Sequence, residues 1–548
     1  MTKSRMTLNT IATLCFLFAA ILTYVRLFWG VDFTDEAFTV ALPYRFVLGD
    51  KPFLDDFSMA QSSAIFLIPL SRLFHFFNSE NSSVVLYFRH LYFVFSLGVS
   101  LLIAKSLFEN FSSALALLPA ALFLLFIPDG IPNLTSQTLS IGFYFIGILW
   151  VLIRSGLTGP WLFGSGLLHA FAIVAFPPIA VAVGFFVFPL MYLMKGNCLK
   201  ALLNYLSGVV FTLLVFYAIL PANFEDYAAV FTWNLKNATE MGHAMGWAKV
   251  QEILSEFTRR MPQIFGVILL GVGNYFAVKK NPLAGFLFAV LLTSLIFIAT
   301  RASQGGGGPS HYVAYSAIFF FVLAIPFAKD AFFKKFAIGI VVPCFAAGLC
   351  LAFASINGFS ASSTVLILPF IFLQALLLKT YFTEWAFTKN DWVLPLVFLP
   401  IFIQAAVLAR FQYKTVFQDD SISELTQTVE SGPFKHLKTT PEKFQYLTEI
   451  QTALTKAAAS KKTISFYPHF PAGYLLTQLR PQTRSLYESC NPYLNAECLE
   501  PKNSDLVILV GKLFYTKDRT EVFASLPIPL EGYEPLSSTP NFQISARK

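Results

Sequence analysis

Residues 8–57 read LNTIATLCFLFAAILTYVRLFWGVDFTDEAFTVALPYRFVLGDKPFLDDF and change character once, just after Trp29. The first 22 of them, Leu8–Trp29, are almost wholly apolar and match the ~20 residues that cross a hydrocarbon core. Beyond Trp29 the acids gather: Asp32, Asp35 and Glu36, then Asp50, Asp55 and Asp56. A membrane span therefore opens onto a polar loop rich in carboxylates. The preceding Met-Thr-Lys-Ser-Arg could introduce a signal peptide. The apolar run exceeds the 7–15 residues of such a segment, however, and no small-x-small cleavage site follows, so it is read as a retained first span.

The rest of the chain repeats this pattern. Of 548 residues, 56% are hydrophobic and 13% charged, against about 25% charged in a soluble domain, and the mean hydropathy is +0.62. Soluble folds are excluded. The net charge of +8 sits largely in short loops between apolar runs, where it sets topology and does not imply nucleic acid. Apolar runs near 8–29, 88–108, 111–127, 134–153, 161–175, 178–194, 201–220, 262–278, 283–300, 311–328, 336–355, 363–380 and 392–411 predict about thirteen transmembrane helices. Alternate loops after the second span carry eleven and five Lys/Arg residues; the richer set is cytoplasmic, and Lys3 and Arg5 then place the N-terminus inside. That parity requires Ala64–Phe77, interrupted by Pro69 and Arg72, to lie on the outer surface as an interfacial helix within an outer loop spanning 30–87.

An odd span count puts the polar residues 412–548 outside. There Pro441–Ser460 reads as a helix, while Thr463–Tyr467 and Asp505–Val510 read as β-branched strands, together a small extracytoplasmic α/β domain after a membrane domain of 1–411. No Gly-rich phosphate loop follows either strand. Cys490 and Cys498, eight apart in this exported part, suit a local disulfide if it faces an oxidising compartment.

Chemistry concentrates at the outer mouth. Asp35 and Glu36 can be ordinary first-turn acids of a helix capped by Thr34. They can equally be bases, because a carboxylate where a polar loop meets apolar surface is partly desolvated and takes protons more readily. After the ninth run, Arg301-Ala-Ser-Gln304 leads through Gly305–Gly308 to His311 and Tyr312. A forked cation beside mobile glycines suits a phosphate, although Arg301 snorkelling beside a plain linker is an equal reading. Arg89 opens the second span on the same side. His169, alone in mid-span, reads as a packed residue with a hydrogen-bond partner. Sequons at Asn81, Asn133 and Asn237 face outward in this topology.

Asp35-Glu36-Ala37-Phe38 after the first span, Arg45–Phe57 beyond it, the proline-containing juxtamembrane helix, Arg89, and His311-Tyr312-Val-Ala-Tyr315 before a late span together resemble the GT-C superfamily of membrane glycosyltransferases. The likeness covers about 410 residues in architecture and about sixty in motif. It implies an outer-face enzyme that moves a sugar from a polyprenyl-phosphate-linked donor to an acceptor hydroxyl of a glycan, lipid or protein, by inverting displacement. Asp35 or Glu36 would be the catalytic acid residue of the family's loop, and Arg301, Gln304, His311, Tyr312 and Arg89 would contact the donor phosphate. Where relatives carry a basic residue or His before Pro-Pro, this chain reads Ser58-Met59-Ala60-Gln61-Ser62, so Gln61 stands in for that contact. Asp32 and Asp56 could bind the acceptor or a divalent cation, although no complete ligand set is evident. The resemblance also implies a bacterial inner membrane. The same topology and basic patches would serve a flippase of lipid-linked sugars, or a non-catalytic scaffold.

Overall fold

The computed structural model describes residues 3–548 except 59, 79, 112–113, 153–158, 195–196, 241–245, 281–308, 325–330, 355–358, 382–393, 415, 460, 468–469, 487–503, 511–529 and 531. Helices fill the chain up to Lys414 and both described sheets follow. The first helix, α1 (Lys3–Arg26), is followed by α2 (Asp35–Val47), α3 (Gln61–Phe77) and α4 (Val84–Phe111). Next come α5 (Leu117–Leu125), α6 (Ser136–Leu152), α7 (Gly159–Ala175), α8 (Ala180–Phe185), α9 (Val187–Leu193), α10 (Cys198–Ile219), α11 (Phe224–Glu240) and α12 (Gly246–Lys280). Later helices include Pro309–Ala324, Val342–Ala354, Phe359–Tyr381 and Leu394–Lys414.

Among the described residues, four helical stretches are long and apolar enough to cross a membrane: Asn9–Arg26, Val84–Glu109, Cys198–Ile219 and Phe333–Ala354. The described residues therefore do not confirm the expected thirteen. Helices α6 and α7 have 17 residues each, about 25 Å at 1.5 Å per residue, against a core of about 30 Å. The run 178–194 divides into α8 and α9, because the ring of Pro189 would meet the carbonyl of residue 185 and its missing N–H ends the ladder there. The run 262–278 joins the more polar residues from Gly246 onward in one helix, α12, with Pro262 inside. The expected span 283–300 lies outside the described residues.

Backbone contact is closest between α7 and α10. A Cβ built on Gly166 would stand 2.1 Å from the Tyr205 carbonyl oxygen, and one on Gly208 would stand 2.2 Å from that of Phe163. Small residues on both helices permit this approach. Nearby, His169 accepts or donates at both ring nitrogens, to the Tyr205 hydroxyl at 2.7 Å and the Tyr144 carbonyl at 3.2 Å, as a packed histidine should. The interfacial candidate α3 packs beside α2 and leaves Leu73, Phe76 and Phe77 exposed at its end.

After Lys414, a short ladder pairs β1 (Gln427–Thr428) with β2 (Lys438–Thr439). The Pro441–Ala457 helix begins with Pro441 at its first turn and Thr440 as cap, whose hydroxyl oxygen accepts from Lys443 N. A five-stranded sheet of β3 (Thr463–Tyr467), β4 (Arg480–Pro481), β5 (Leu506–Val510), β6 (Tyr533–Ser538) and β7 (Phe542–Arg547) runs in the order β4-β3-β5-β7-β6. Strand β3 is parallel to β4 and β5, which suits the unbroken apolar run Leu506–Val510. This region does not stand apart: its core is continuous with that of α2, α3 and the start of α4. Phe33, between α1 and α2, lies within 5.6–5.8 Å, ring to ring, of Phe434, Tyr446 and Phe470.

Candidate functional site

The turn between α1 and α2 is gripped from three directions. Lys438 N donates to Phe28 O and Gly30 N to Lys438 O, both at 2.8 Å, so the turn adds to β2. Gly30 has φ +91°, and a Cβ there would stand 2.0 Å from Val416 Cγ1, so only glycine fits. Next, Val31 N donates to Asp419 Oδ2 at 2.8 Å. Buried Lys443, from the C-terminal helix, donates to the carbonyls of Val31 (2.9 Å) and Gln418 and sits 3.6 Å from Asp419 Oδ1. Burial pulls the Lys443 ammonium below the usual lysine range, with Asp419 opposing.

The turn presents the mouth acids in different states. Helix α2 begins at Asp35 as the sequence predicts, but Thr34 does not cap it. Its hydroxyl donates instead to Asp32 Oδ1 at 2.7 Å, and the Asp32 carboxylate accepts from Thr34 N (2.8 Å) and Glu36 N (2.7 Å), so Asp32 is the side chain that holds the first turn. Burial, and then the charge of Asp35, push the Asp32 carboxyl up to about 7 against the bonds that favour its charged form. Asp35 itself is half-buried at the first position of α2.

Glu36 faces the other way. Arg89 at the start of α4 takes it in a fork, Nε to Oε1 at 2.7 Å and Nη2 to Oε2 at 2.6 Å. Arg89 also donates to the carbonyls of Leu27 (2.6 Å), Gly30 (2.8 Å) and Trp29 (3.3 Å). All five guanidinium donors are thereby engaged inside the fold, and both residues are buried. The pair expected as base and phosphate contact is occupied with itself. Asn133 Nδ2 lies 3.4 Å from Glu36 Oε1. The sequons expected to face outward at Asn133 and Asn81 are buried, Asn81 donating to Leu475 O at 2.8 Å, and the Asn237 side chain lies outside the described residues.

At the far end of α2, buried Arg45 bonds Asp50 (2.5 Å), Asp56 (2.6 Å) and the Asp55 carbonyl (2.7 Å). The other Asp56 oxygen accepts from Ser58 N at 2.7 Å, so the carboxylate expected on an acceptor or cation is wholly engaged and buried. Burial pushes its carboxyl above the usual range despite Arg45. Gln61 is also buried: Oε1 accepts from Phe53 N at 2.6 Å and Nε2 has no partner. Tyr312 is buried within the helical core of the Pro309–Ala324 helix. Arg301, Gln304, Cys490 and Cys498, and the side chain of His311, lie outside the described residues.

A divalent cation does not fit these acids as a protein-built cage. Among the described residues no three His, Cys, Asp or Glu side chains converge. The oxygens of Asp32, Glu36 and Asp56 already accept bonds from this chain.

No family model matches the chain, and no curated protein does. Solved structures do. That of the Archaeoglobus fulgidus oligosaccharyltransferase in complex with Zn and sulfate aligns over 97% of this chain and 73% of its own, at TM-score 0.50 and 12% identity. The same enzyme in complex with an inhibitory peptide and a dolichol-phosphate covers 98% and 74%, at TM-score 0.47 and 12% identity. ArnT from Cupriavidus metallidurans, bound to undecaprenyl phosphate, covers 98% of both chains at TM-score 0.41 and 10% identity. The fold is similar to that of the Archaeoglobus fulgidus oligosaccharyltransferase. At such identity the likeness is one of fold, and it agrees with the resemblance drawn from Asp35-Glu36 and its surroundings. In this fold the parts that sequence reasoning missed are Arg45, Asp419, Lys443 and Arg480. Each binds the segment between α1 and α3, and three of them do so across hundreds of residues, where no local spacing could announce them.

Proposed function

We propose that this chain transfers a sugar from a polyprenyl-phosphate-linked donor to an acceptor hydroxyl on the outer face of the membrane, with Asp35 as general base. The observation that carries this reading is the division of labour among the mouth acids. Glu36, Asp50 and Asp56 are each held by a buried arginine, and Asp32 holds the first turn of α2. Asp35, half-buried, is the first residue of α2, directly after the turn that these contacts fix. The likeness in fold to an oligosaccharyltransferase supports glycosyl transfer, and the donor class is the one that the resemblance of the Asp35-Glu36 loop implies.

In the reaction, Asp35 accepts the acceptor's hydroxyl proton while that oxygen bonds the anomeric carbon. The bond from that carbon to the phosphate oxygen breaks, and polyprenyl phosphate leaves with the electron pair, giving inversion. A phosphate is already a good leaving group, so positive charge from the Arg301 segment, rather than a strong acid, is the second requirement. The exposed apolar end of α3 would rest in the interface beside the donor's lipid.

Proteoliposomes carrying the purified protein, a radiolabelled polyprenyl-phosphate sugar and an envelope-glycan extract on one side test this. Label should pass to the aqueous acceptor with the wild-type protein and not with Asp35→Asn of unchanged melting temperature. Normal transfer by that variant removes Asp35 as the base. Label that crosses the bilayer without changing its carrier identifies a flippase.

A further inference from the structure

At the far end of α2 the same loop builds a concavity, a cleft of about 360 Å³ between residues 54–57 and the segment 480–484 that starts at β4. It exists only because the first outer loop and the C-terminal region meet there: Phe57 N donates to Arg484 O at 2.7 Å, and the hydroxyls of Ser58 and Ser485 are 2.9 Å apart. Its charges are paired in place. Arg480 bonds Asp50 and lies 3.8 Å from Asp55, Arg45 holds Asp50 from behind, and the Arg484 guanidinium lies 5.6 Å from the centre of the Phe57 ring. The lining holds three arginines and two aspartates, with Asp56 bonded to Arg45 behind the wall, so most of the positive charge that a phosphate or polyanion would need is already paired. What the cleft offers is guanidinium donors beside carboxylate acceptors, with Gln482 between them. Vicinal hydroxyls, each both donor and acceptor, match that alternation.

The loop that forms one wall is held by residues that do not line the cleft. Gln61 and Asn234, both at least nine-tenths buried, grip it by Phe53 N (2.6 Å) and Phe57 O (2.7 Å), and the Trp233 ring is 5.7 Å from that of Phe57. A peptide fits less well. Strand β4 is the sheet edge, and Arg480 N and Gln482 N both donate inward to β3, at 3.0 Å each. The outward position belongs to Pro481, which has no N–H, so the edge cannot add a peptide strand.

We propose that this cleft is a binding subsite for a neutral, hydroxyl-rich glycan, the remote part of an extended acceptor. Ten residues of α2 separate Arg45 from Asp35, about 15 Å at 1.5 Å per residue, so the bound portion lies several sugar units from the reacting hydroxyl. Its role as acceptor rests on the transferase reading; the binding does not.

Full-length protein in nanodiscs, titrated with maltohexaose, cellohexaose and mannohexaose and followed by calorimetry, tests the subsite, with inorganic phosphate and a polar hexapeptide as competing probes. At least one hexasaccharide should bind saturably, and Gln482→Ala with Arg484→Gln should weaken it tenfold or more at unchanged melting temperature. Asp35→Asn should bind it as the wild type does. No saccharide binding, equal binding by the cleft variant, or binding of the peptide or phosphate alone overturns the proposal. Wild-type binding that the cleft variant loses, together with normal transfer by Asp35→Asn, would instead remove the base assignment and leave the subsite standing.

Discussion

Replacing Arg89 by Met separates an arginine that holds the fold from one that holds a donor phosphate. The structure gives the magnitude. Removing one partner of a buried ion pair strands the other charge at a cost of about 3–5 kcal/mol, and Glu36 has no exposed face on which to recover water. The Leu27 and Gly30 carbonyls lose donors at 2.6 and 2.8 Å, adding roughly 1 kcal/mol each. The sum, about 5–7 kcal/mol, is comparable with the whole stability of many domains. Arg89→Met should therefore give little monodisperse protein in nanodiscs and a strongly lowered tryptophan-fluorescence melting temperature. Glu36→Leu combined with Arg89→Met exchanges the pair for apolar volume and should recover most of the loss, since such exchanges are often near neutral. Arg89→Lys should fall between, because an ammonium cannot fork onto both carboxylate oxygens. An Arg89→Met protein that melts like the wild type yet transfers no sugar refutes this account and returns Arg89 to the donor phosphate.

Gly30→Ala places a Cβ against Val416 in a backbone conformation that disfavours side chains, so it should loosen the C-terminal region, seen as faster limited proteolysis after Lys414; unchanged cleavage argues against that clash. Lys443→Met leaves Asp419 buried beside two carbonyls that have lost their donor, and should lower stability by about 3–5 kcal/mol in denaturant melts, a neutral effect being the contrary result. The Asp32 carboxyl holds its proton more tightly folded, near 7, than the ordinary 3.8, so folding takes up a proton between these values and stability falls as pH rises through that window. Melting temperatures from pH 5 to 8 should decline for the wild type and stay level for Asp32→Asn; a slope kept by the variant assigns it to another group.

Much of the fold was legible because it follows from periodicity and apolar length. The runs around α1, α4 and α10 announce membrane helices, and Thr463–Tyr467 and Leu506–Val510 announce strands that the sheet then pairs. Lengths were less legible. Pro189 breaks one run at α9, whereas Pro262 lies within an unbroken α12, and the outcome depends on packing that no single residue reports. The site was legible in location and not in roles. Asp32, Asp35 and Glu36 are equal carboxylates in a string, and what distinguishes them is the counter-group each meets. Glu36 meets Arg89, 53 positions on, and the turn that carries Asp32 is fixed by Asp419 and Lys443, nearly four hundred positions on.

Those distant partners also explain why Glu36 is the weaker candidate for the base. A general base must take a proton from the substrate and release it again, whereas a carboxylate bonded through both oxygens to a buried guanidinium loses its fork when it is protonated. Asp35, one residue earlier, shares the helix start that Asp32 fixes without sharing that fork. Because the turn is clamped by β2, Asp419 and Lys443, the C-terminal region holds the start of α2 in place. That region is then no appendage: with Asp35 as the base, undocking it by Gly30→Ala or Lys443→Met should abolish transfer at temperatures where the helices of the membrane part are still intact.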